Sequence, residues 1–172
     1  MLRLYARMLP HLLRAWFRRH EEERTSRVHS RVHLDQVDVF GHMNQSRYAE
    51  HFELGRADLV VRSGAWARWR GEGVHPVVAR QEITYRRELK PLQRFLVDTR
   101  FVGFEGRLLH SRGTMRVGDR VHAVAEVYRI FVGPDGVLPA ERVEALCSPL
   151  IVAPLKMKDW RVISAPMTPR VG

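Results

Sequence analysis

Residues 35–64 read DQVDVFGHMNQSRYAEHFELGRADLVVRSG, a loop followed by a helix-like pattern. Its first part is polar and contains a glycine, which is typical of a tight loop. From residue 45 onward, apolar or small residues recur at intervals of four, three and four, so they share one face of a helix. These residues are Tyr48, Phe52, Gly55 and Leu59. The spacing predicts a long, largely buried helix over 45–63 that ends at Gly64.

Extended runs flank this helix on both sides. The polar run 21–27 leads into a first strand at about 28–34, and a loop at 65–73 carries Trp66 and Trp69 as packing or lid residues. Four further runs rich in β-branched and aromatic residues predict strands at 74–87, 94–104, 107–117 and 121–132. Turn signals separate them, so we expect a meander of consecutive antiparallel strands. The order of elements predicts an α+β fold with the helix on one face of the sheet.

The two ends of the chain differ from this central domain, which we place at 25–147. Residues 1–24 combine apolar residues at helical spacing with several arginines and then a polar linker. Such a basic amphipathic segment is either a membrane-surface anchor or a helix packed on its own domain or on a partner. A short helix is expected at 139–147, and the proline-rich residues 148–172 predict an extended tail.

The composition limits the classes of partner and compartment. The 29 Lys and Arg residues exceed the 19 Asp and Glu residues and give a formal net charge of +10. This charge favours anionic partners, although it also fits a bias toward arginine on a solvated surface. Cys147 is the single cysteine, which excludes an intramolecular disulfide framework and fits a reducing compartment. No apolar run is long enough to span a bilayer.

Several common functional classes lack their motifs in this sequence. It contains no Gly-rich phosphate loop, no HExxH and no GxSxG, which argues against common nucleotide-binding proteins, zinc proteases and serine hydrolases. The nine histidines are scattered, so no metal site is predicted. Nucleic-acid binding would rest on net charge alone, without an aromatic-basic motif, and is not expected.

The loop at 35–48 carries the chemistry. Asp38, Gly41, His42 and Asn44 place a carboxylate, an imidazole and a carboxamide beside backbone N–H groups at the positive end of a helix. Such a site can activate water next to a carbonyl whose developing charge meets fixed donors. Each residue also has a structural interpretation: Asp38 as a turn stabiliser, His42 as a packing residue and Asn44 as the helix N-cap.

These residues resemble those of the hotdog-fold thioesterases of the 4-hydroxybenzoyl-CoA thioesterase type. The pattern Asp38-x-x-Gly41-His42-x-Asn44, followed by Tyr48, Phe52-Glu53 and Arg56, is similar to the motif of that family, and residues 83–107 resemble its second and third strands. The resemblance covers about residues 28–147. A closer resemblance is to the branch around thioesterase superfamily member six, through HMNQSRY, ERVEALC and the tail containing Asp159 and Trp160. Gln36 and Gln45 depart from the residues that the family often carries at those positions.

The resemblance implies a hotdog fold, in which an antiparallel sheet wraps around one long helix, and an acyl-CoA or acyl-carrier thioester hydrolase without metal or cofactor. It assigns Asp38 as base or nucleophile, with Glu53 as a distant second because helical geometry turns Glu53 away from the buried face and toward Arg56. The remaining candidate site residues are His42 and Asn44 for catalysis, and Gly41, Met43, Tyr48, Arg86 and Arg87 for substrate binding. Assembly into a homodimer or homotetramer is expected because one such sheet leaves open edges.

The implied location is the cytoplasm, with residues 1–19 as the candidate contact to the inner face of an anionic membrane. Two other functions remain open on the sequence alone. One is a catalytically weak acyl-ligand binding or scaffold protein on the same fold, held at a membrane surface. The other is a hydratase or dehydratase, although those relatives pair Asp and His at a different spacing.

Overall fold

The computed structural model describes residues 24–153, which form one antiparallel sheet with helices packed against it. The strands are β1 (Thr25–Arg31), β2 (His75–Tyr85), β3 (Arg94–Glu105), β4 (Leu108–Val117), β5 (Arg120–Gly133) and β6 (Gly136–Val137). The helices are α1 (Gln45–Arg62), α2 (Ala65–Gly71) and α3 (Ala140–Cys147), with single 3₁₀ turns at Leu34–Gln36 and Ser148–Leu150. This is the expected α+β architecture, although α1 is accompanied by shorter helices.

The sheet order is β1-β3-β4-β5-β2, with β6 paired to the end of β5. The predicted meander is therefore correct for β3, β4 and β5 but wrong for β2, which pairs with β5 and not with β3. The reason is the segment 86–93, which crosses from one edge of the sheet to the other. Its first residues bond to the carbonyl of His122 and its last residues bond to Val32 beside β1.

The helix α1 lies across β1, β3 and β4 with the predicted face inward. Tyr48, Phe52, Gly55 and Leu59 are all buried, and α1 ends one residue earlier than expected. β1 begins three residues earlier than predicted, because Ser26 is buried and its hydroxyl donates to Asp58 Oδ2 at 2.6 Å. A buried polar pair of this kind leaves no apolar signal in the sequence.

The predicted loop at 65–73 is largely helical and forms α2. Gly64 adopts a left-handed conformation with φ of +71°, which redirects the chain after α1 and allows a second helix to start. Trp69 is buried in a second apolar cluster, where its ring contacts Phe101 and Phe131 edge to face. Trp66, three residues earlier in α2, is half exposed. One tryptophan is thus a packing residue and the other lines a surface cleft.

The end of the described chain closes this second cluster. α3 buries Val143 and Cys147, Leu150 is buried, and Ile151 forms a parallel bridge with Phe101. Residues 148–153, the start of the predicted tail, therefore contact the sheet. The N-terminal segment 1–23 and the tail residues 154–172 lie outside the described residues, as does Trp160. Within the described part, no helix combines the length and the apolar character that crossing a membrane requires.

Gly55 marks the closest approach of α1 to the sheet. A Cβ at this position would clash with Thr99 Oγ1 and lie 3.0 Å from Val97 Cγ1, and both neighbours are fully buried. We expect Gly55→Ala to destabilise the protein by about 1–3 kcal/mol through overpacking, despite a gain of about 1 kcal/mol in helix propensity. Urea unfolding measures this, with Gly71→Ala as the matched control because its Cβ would meet open space. Equal stability of the two variants would contradict the close approach.

Candidate active site

The loop between Gln36 and α1 is a short closed turn. Val37 and Met43 form an antiparallel bridge, and the N–H of Asp38 donates to the carbonyl of His42 at 3.0 Å. Gly41 has φ of +79°, a conformation that favours glycine, and its N–H donates to the carbonyl of Asp38. These bonds fix the backbone of Asp38 in the loop that leads into α1.

The Asp38 carboxylate is held at both oxygens. Oδ1 accepts the N–H of Phe40 at 2.9 Å, and Oδ2 lies 3.4 Å from Nδ1 of His42. The side chain remains 18% exposed, so solvent and a ligand can still reach it. The bond from Phe40 is the turn-stabilising interaction that was one of the two interpretations of Asp38. The same geometry also presents a positioned carboxylate at the surface.

Asn44 joins the loop to the helix as its N-cap. Its Oδ1 accepts the N–H of Ser46 at 2.9 Å and the hydroxyl of Ser46 at 2.8 Å. This geometry agrees with the structural interpretation of Asn44. The loop is tied further to the core by the N–H of Met43, which donates to the carbonyl of Leu89, and by the N–H of Asn44, which donates to the carbonyl of Gln36. The Met43 side chain is buried in the core below the loop.

A buried polar chain supports the loop from below, and its members carry little signal in the sequence. Gln36 is buried, its Oε1 accepts the N–H of His33 at 3.0 Å, and its amide contacts Nε2 of His51. Nδ1 of His51 in turn lies 3.1 Å from Ser30 Oγ. The amide of Gln36, at one of the two departures from the family pattern, therefore connects the loop to α1 and β1.

Tyr48 lies one helical turn beyond the loop, and its ring meets Tyr85 of β2 edge to face at 5.0 Å. Burial raises the pKa of the Tyr48 hydroxyl above its ordinary value; a backbone hydrogen bond at Leu89 acts in the opposite direction, and the negative charges of Glu88 and Asp38 add to the rise. Tyr48 therefore stays a neutral phenol near the Asp38 loop at physiological pH. Tyr85 was not among the predicted site residues, because nothing in the sequence places β2 beside α1.

Arg86 and Arg87, the predicted substrate-binding cations, lie on the segment 86–93, which is bonded to the Asp38 loop through Leu89. The N–H groups of Arg86 and Arg87 both donate to the carbonyl of His122, and Arg87 Nη1 donates to the carbonyl of Val121 at 2.9 Å. Leu89, whose carbonyl holds Met43, follows closely in the chain. The two arginines are therefore connected to the Asp38 loop through the backbone. Burial lowers the pKa of His122, against a backbone bond at Glu88 that raises it, so this ring favours its neutral form.

Glu53 belongs to another part of the molecule. It forms the predicted ion pair with Arg56 on the outer side of α1, remains 42% exposed and lines a cleft toward β2. It is separated from Asn44 by nine residues, which is about 14 Å along the helix axis. Among residues 24–153, no three His, Cys, Asp or Glu side chains are grouped so that they could hold a metal ion.

Comparison with known proteins identifies the family of this chain. The sequence profile of the Thioesterase-like superfamily matches residues 32–146, well over half of the chain. Solved structures share the fold. The probable thioesterase YbaW from Escherichia coli is 18% identical with a TM-score of 0.68, and covers 74% of this chain and 99% of its own. A thioesterase from Thermus thermophilus, complexed with coenzyme A and Zn, is 26% identical with a TM-score of 0.55. It covers 70% of this chain and 93% of its own.

A third structure, the DHNA-CoA thioesterase from Staphylococcus aureus, is 15% identical with a TM-score of 0.57, and covers 69% of this chain and 82% of its own. The predicted hotdog thioesterase fold is thus confirmed at the level of the superfamily and the antiparallel sheet. These matches do not distinguish the 4-hydroxybenzoyl-CoA type or the branch around member six from other members of the superfamily. On its sequence profile and its fold, the chain belongs to the Thioesterase-like superfamily.

Proposed function

We propose that this protein hydrolyses acyl thioesters at the Asp38 loop, with an acyl-CoA or an acyl-carrier thioester as substrate. One observation carries the proposal: the partly exposed carboxylate of Asp38 is fixed by the N–H of Phe40 in the loop that leads into α1. The first N–H groups of a helix have no partner within the helix and carry its positive dipole. The N–H of Ser46 is already used by the Asn44 cap, so a carbonyl bound at the start of α1 lies between the Asp38 base and the positive end of the helix dipole.

The reaction follows from these two groups. Asp38 accepts a proton from water, whose oxygen bonds to the thioester carbon while the carbonyl oxygen becomes negative. The positive end of the α1 dipole stabilises that oxygen. When the tetrahedral intermediate collapses, the C–S bond breaks, the proton passes from Asp38 to the sulfur, and a carboxylic acid and a thiol leave. His42, which lies beside Oδ2, keeps the carboxylate in position.

The residues proposed to bind the substrate belong to the same site. Arg86 and Arg87 provide positive charge on the segment below the loop, which suits the phosphates of coenzyme A, and Gly41, Met43 and Tyr48 shape the space around the thioester. The superfamily and the thioesterases among the structural neighbours support this substrate class. Membership of the 4-hydroxybenzoyl-CoA type or of the branch around member six, and hydrolysis without metal or cofactor, are parts of the proposal.

The assembly is proposed to be a homodimer or homotetramer. β2 is an edge strand of 11 residues whose Val77 and Val78 are exposed, and Val39 and Phe40 project from the tip of the Asp38 loop. An exposed edge strand of this length is usually covered by another strand or chain. A cytoplasmic location and a membrane contact through residues 1–19 remain predictions, since those residues lie outside the described ones.

A second candidate function is an acyl-ligand binding protein without efficient turnover. The hydrogen bond from the N–H of Phe40 and the contact with His42 favour this function. Together they engage both carboxylate oxygens of Asp38 in stabilising the turn. A panel of acyl-CoAs of different chain length distinguishes the two functions when thiol release and binding are both measured on the full chain. We expect thiol release from at least one member. Binding without release would support the alternative.

A further inference from the structure

An open depression lies beside the edge strand β1, at the end of the sheet where β1 finishes and β3 begins. Its volume is about 770 Å³, which is within the range of sites for small organic ligands. The end of β1, the start of β3 and the turn between β4 and β5 form its walls. β1 and β2 are the two opposite edges of the sheet, so the depression is not at the edge that we propose another chain to cover.

Three arginines meet in this depression. Arg31 of β1 and Arg94 of β3 are directly opposite each other in the sheet. Leu96, on the same face of β3 as Arg94, is opposite Arg116 of β4. Phe95, which alternates with these residues along β3, packs in the core with α1, so the three arginines lie on the other face of the sheet. Like charges that are directly opposite on neighbouring strands repel each other and destabilise the sheet.

These guanidiniums lack the carboxylate partners that other arginines have on the same face. Arg27 and Arg100, for example, both pair with Asp98. In the part of the chain that the structure describes, no carboxylate pairs with the three arginines of the depression, and Nε of Arg116 is buried without a hydrogen-bond partner. Asp119 is the one carboxylate that lines the depression. With the histidines counted as neutral, three guanidiniums and one carboxylate leave a net charge of +2, which favours an anionic ligand.

We propose that this depression binds the phosphate group of a phosphate monoester, held by the guanidiniums of Arg31, Arg94 and Arg116. A phosphate monoester carries a charge of about −1.5 to −2 at pH 7, which balances the excess positive charge. Guanidinium groups bind phosphate oxygens through paired, charge-assisted hydrogen bonds. Leu96 and Val117 also line the depression and provide apolar contacts for the organic part of the ligand. Because α1 packs on the opposite face, the inference does not depend on thioester hydrolysis.

The test measures binding of phenyl phosphate and benzoate to the full chain by calorimetry, at a constant ionic strength set with sodium chloride. The two probes share a phenyl ring, and phenyl phosphate carries the larger negative charge. We expect phenyl phosphate to bind at least about tenfold more tightly than benzoate, since one additional charge-assisted hydrogen bond is sufficient for this factor. Equal affinity of the two probes, or no binding of phenyl phosphate, would overturn the proposal.

A variant locates the phosphate group. Arg94→Gln should weaken phenyl phosphate binding about tenfold, because it removes one charged donor. Arg27→Gln is the matched control, since it makes the same charge change on the same face of the sheet, and Asp98 keeps its partner Arg100. The control should bind phenyl phosphate like the wild type. Unchanged binding by Arg94→Gln, or an equal loss in both variants, would contradict the site. If Arg94→Gln does not fold, the wild-type comparison of the two probes decides.

Vesicles distinguish a soluble phosphate ester from a lipid headgroup, because phosphatidic acid carries the same monoester phosphate. Sedimentation of the full chain with vesicles of phosphatidylcholine and phosphatidic acid compares the wild type with Arg94→Gln. Weaker vesicle binding by the variant would identify the headgroup as a ligand of the depression, and equal vesicle binding would identify a soluble ester. Either result supports the site when phenyl phosphate binding depends on Arg94, and phenyl phosphate binding that is independent of Arg94 overturns it.

Discussion

Asp38→Asn is expected to lower the rate of thioester hydrolysis by about 10²-fold or more, because loss of a positioned general base typically costs between about 10²- and 10⁴-fold. The substitution keeps the size of the side chain. It also keeps an oxygen that accepts the N–H of Phe40, so the turn at the head of α1 remains closed. Only the basic or nucleophilic oxygen is lost. Initial rates of thiol release at saturating acyl-CoA measure the effect.

Two controls show that such a loss is chemical. The circular dichroism spectrum and the urea midpoint of Asp38→Asn should match those of the wild type, since the turn bonds persist. Binding of a non-hydrolysable acyl-CoA analogue should also persist. Near-normal turnover by the variant would mean that Asp38 only braces the loop between Val37 and Met43, and the acyl-ligand binding function would then be favoured.

Trp69→Ala is expected to destabilise the protein by about 3–5 kcal/mol, the usual cost of removing a large buried aromatic side chain. The Trp69 side chain is 1% exposed, and its ring lies 5.0 Å from that of Phe131 and 6.1 Å from that of Phe101. Its removal leaves a cavity where α2 meets the sheet, and the surrounding strands can fill it only in part. The free energy of unfolding in urea is the measurement.

Trp66→Ala is the matched control, because Trp66 lies on the same short helix and is 48% exposed. We expect its effect to stay within about 0.5 kcal/mol. A similar loss of stability in both variants would show that α2 contributes through its helix alone, and that Trp69 does not anchor the second apolar cluster.

The sequence predicted the elements of this fold better than their arrangement. Periodicity located α1 and the strands to within a few residues, because each element has one face toward the core and its apolar residues repeat accordingly. The position of β2 could not be predicted, since the segment 86–93 has the turn signals of a hairpin and yet bonds to Val32 and His122, which are distant in sequence. α2 was missed because glycines flank a short segment in which only Ala65 and Trp69 are buried.

In the candidate site, too, contacts between residues close in sequence were predicted and tertiary contacts were not. Asp38, His42 and Asn44 are close in sequence, so their grouping in one loop followed from the chain itself. Tyr85 and Leu89 reach this loop only through tertiary contacts.

The role of Asp38 as the catalytic carboxylate is tested most directly by the ratio of two hydrolysis rates, those of Glu53→Gln and Asp38→Asn on the same acyl-CoA. Both variants replace one carboxylate of α1 or its leading loop with an amide of the same shape. Glu53 is a half-exposed partner of Arg56, so its replacement should leave the rate close to that of the wild type. We expect Glu53→Gln to be about 10²-fold faster than Asp38→Asn, or more. A ratio below one, with Glu53→Gln inactive and Asp38→Asn active, would contradict it.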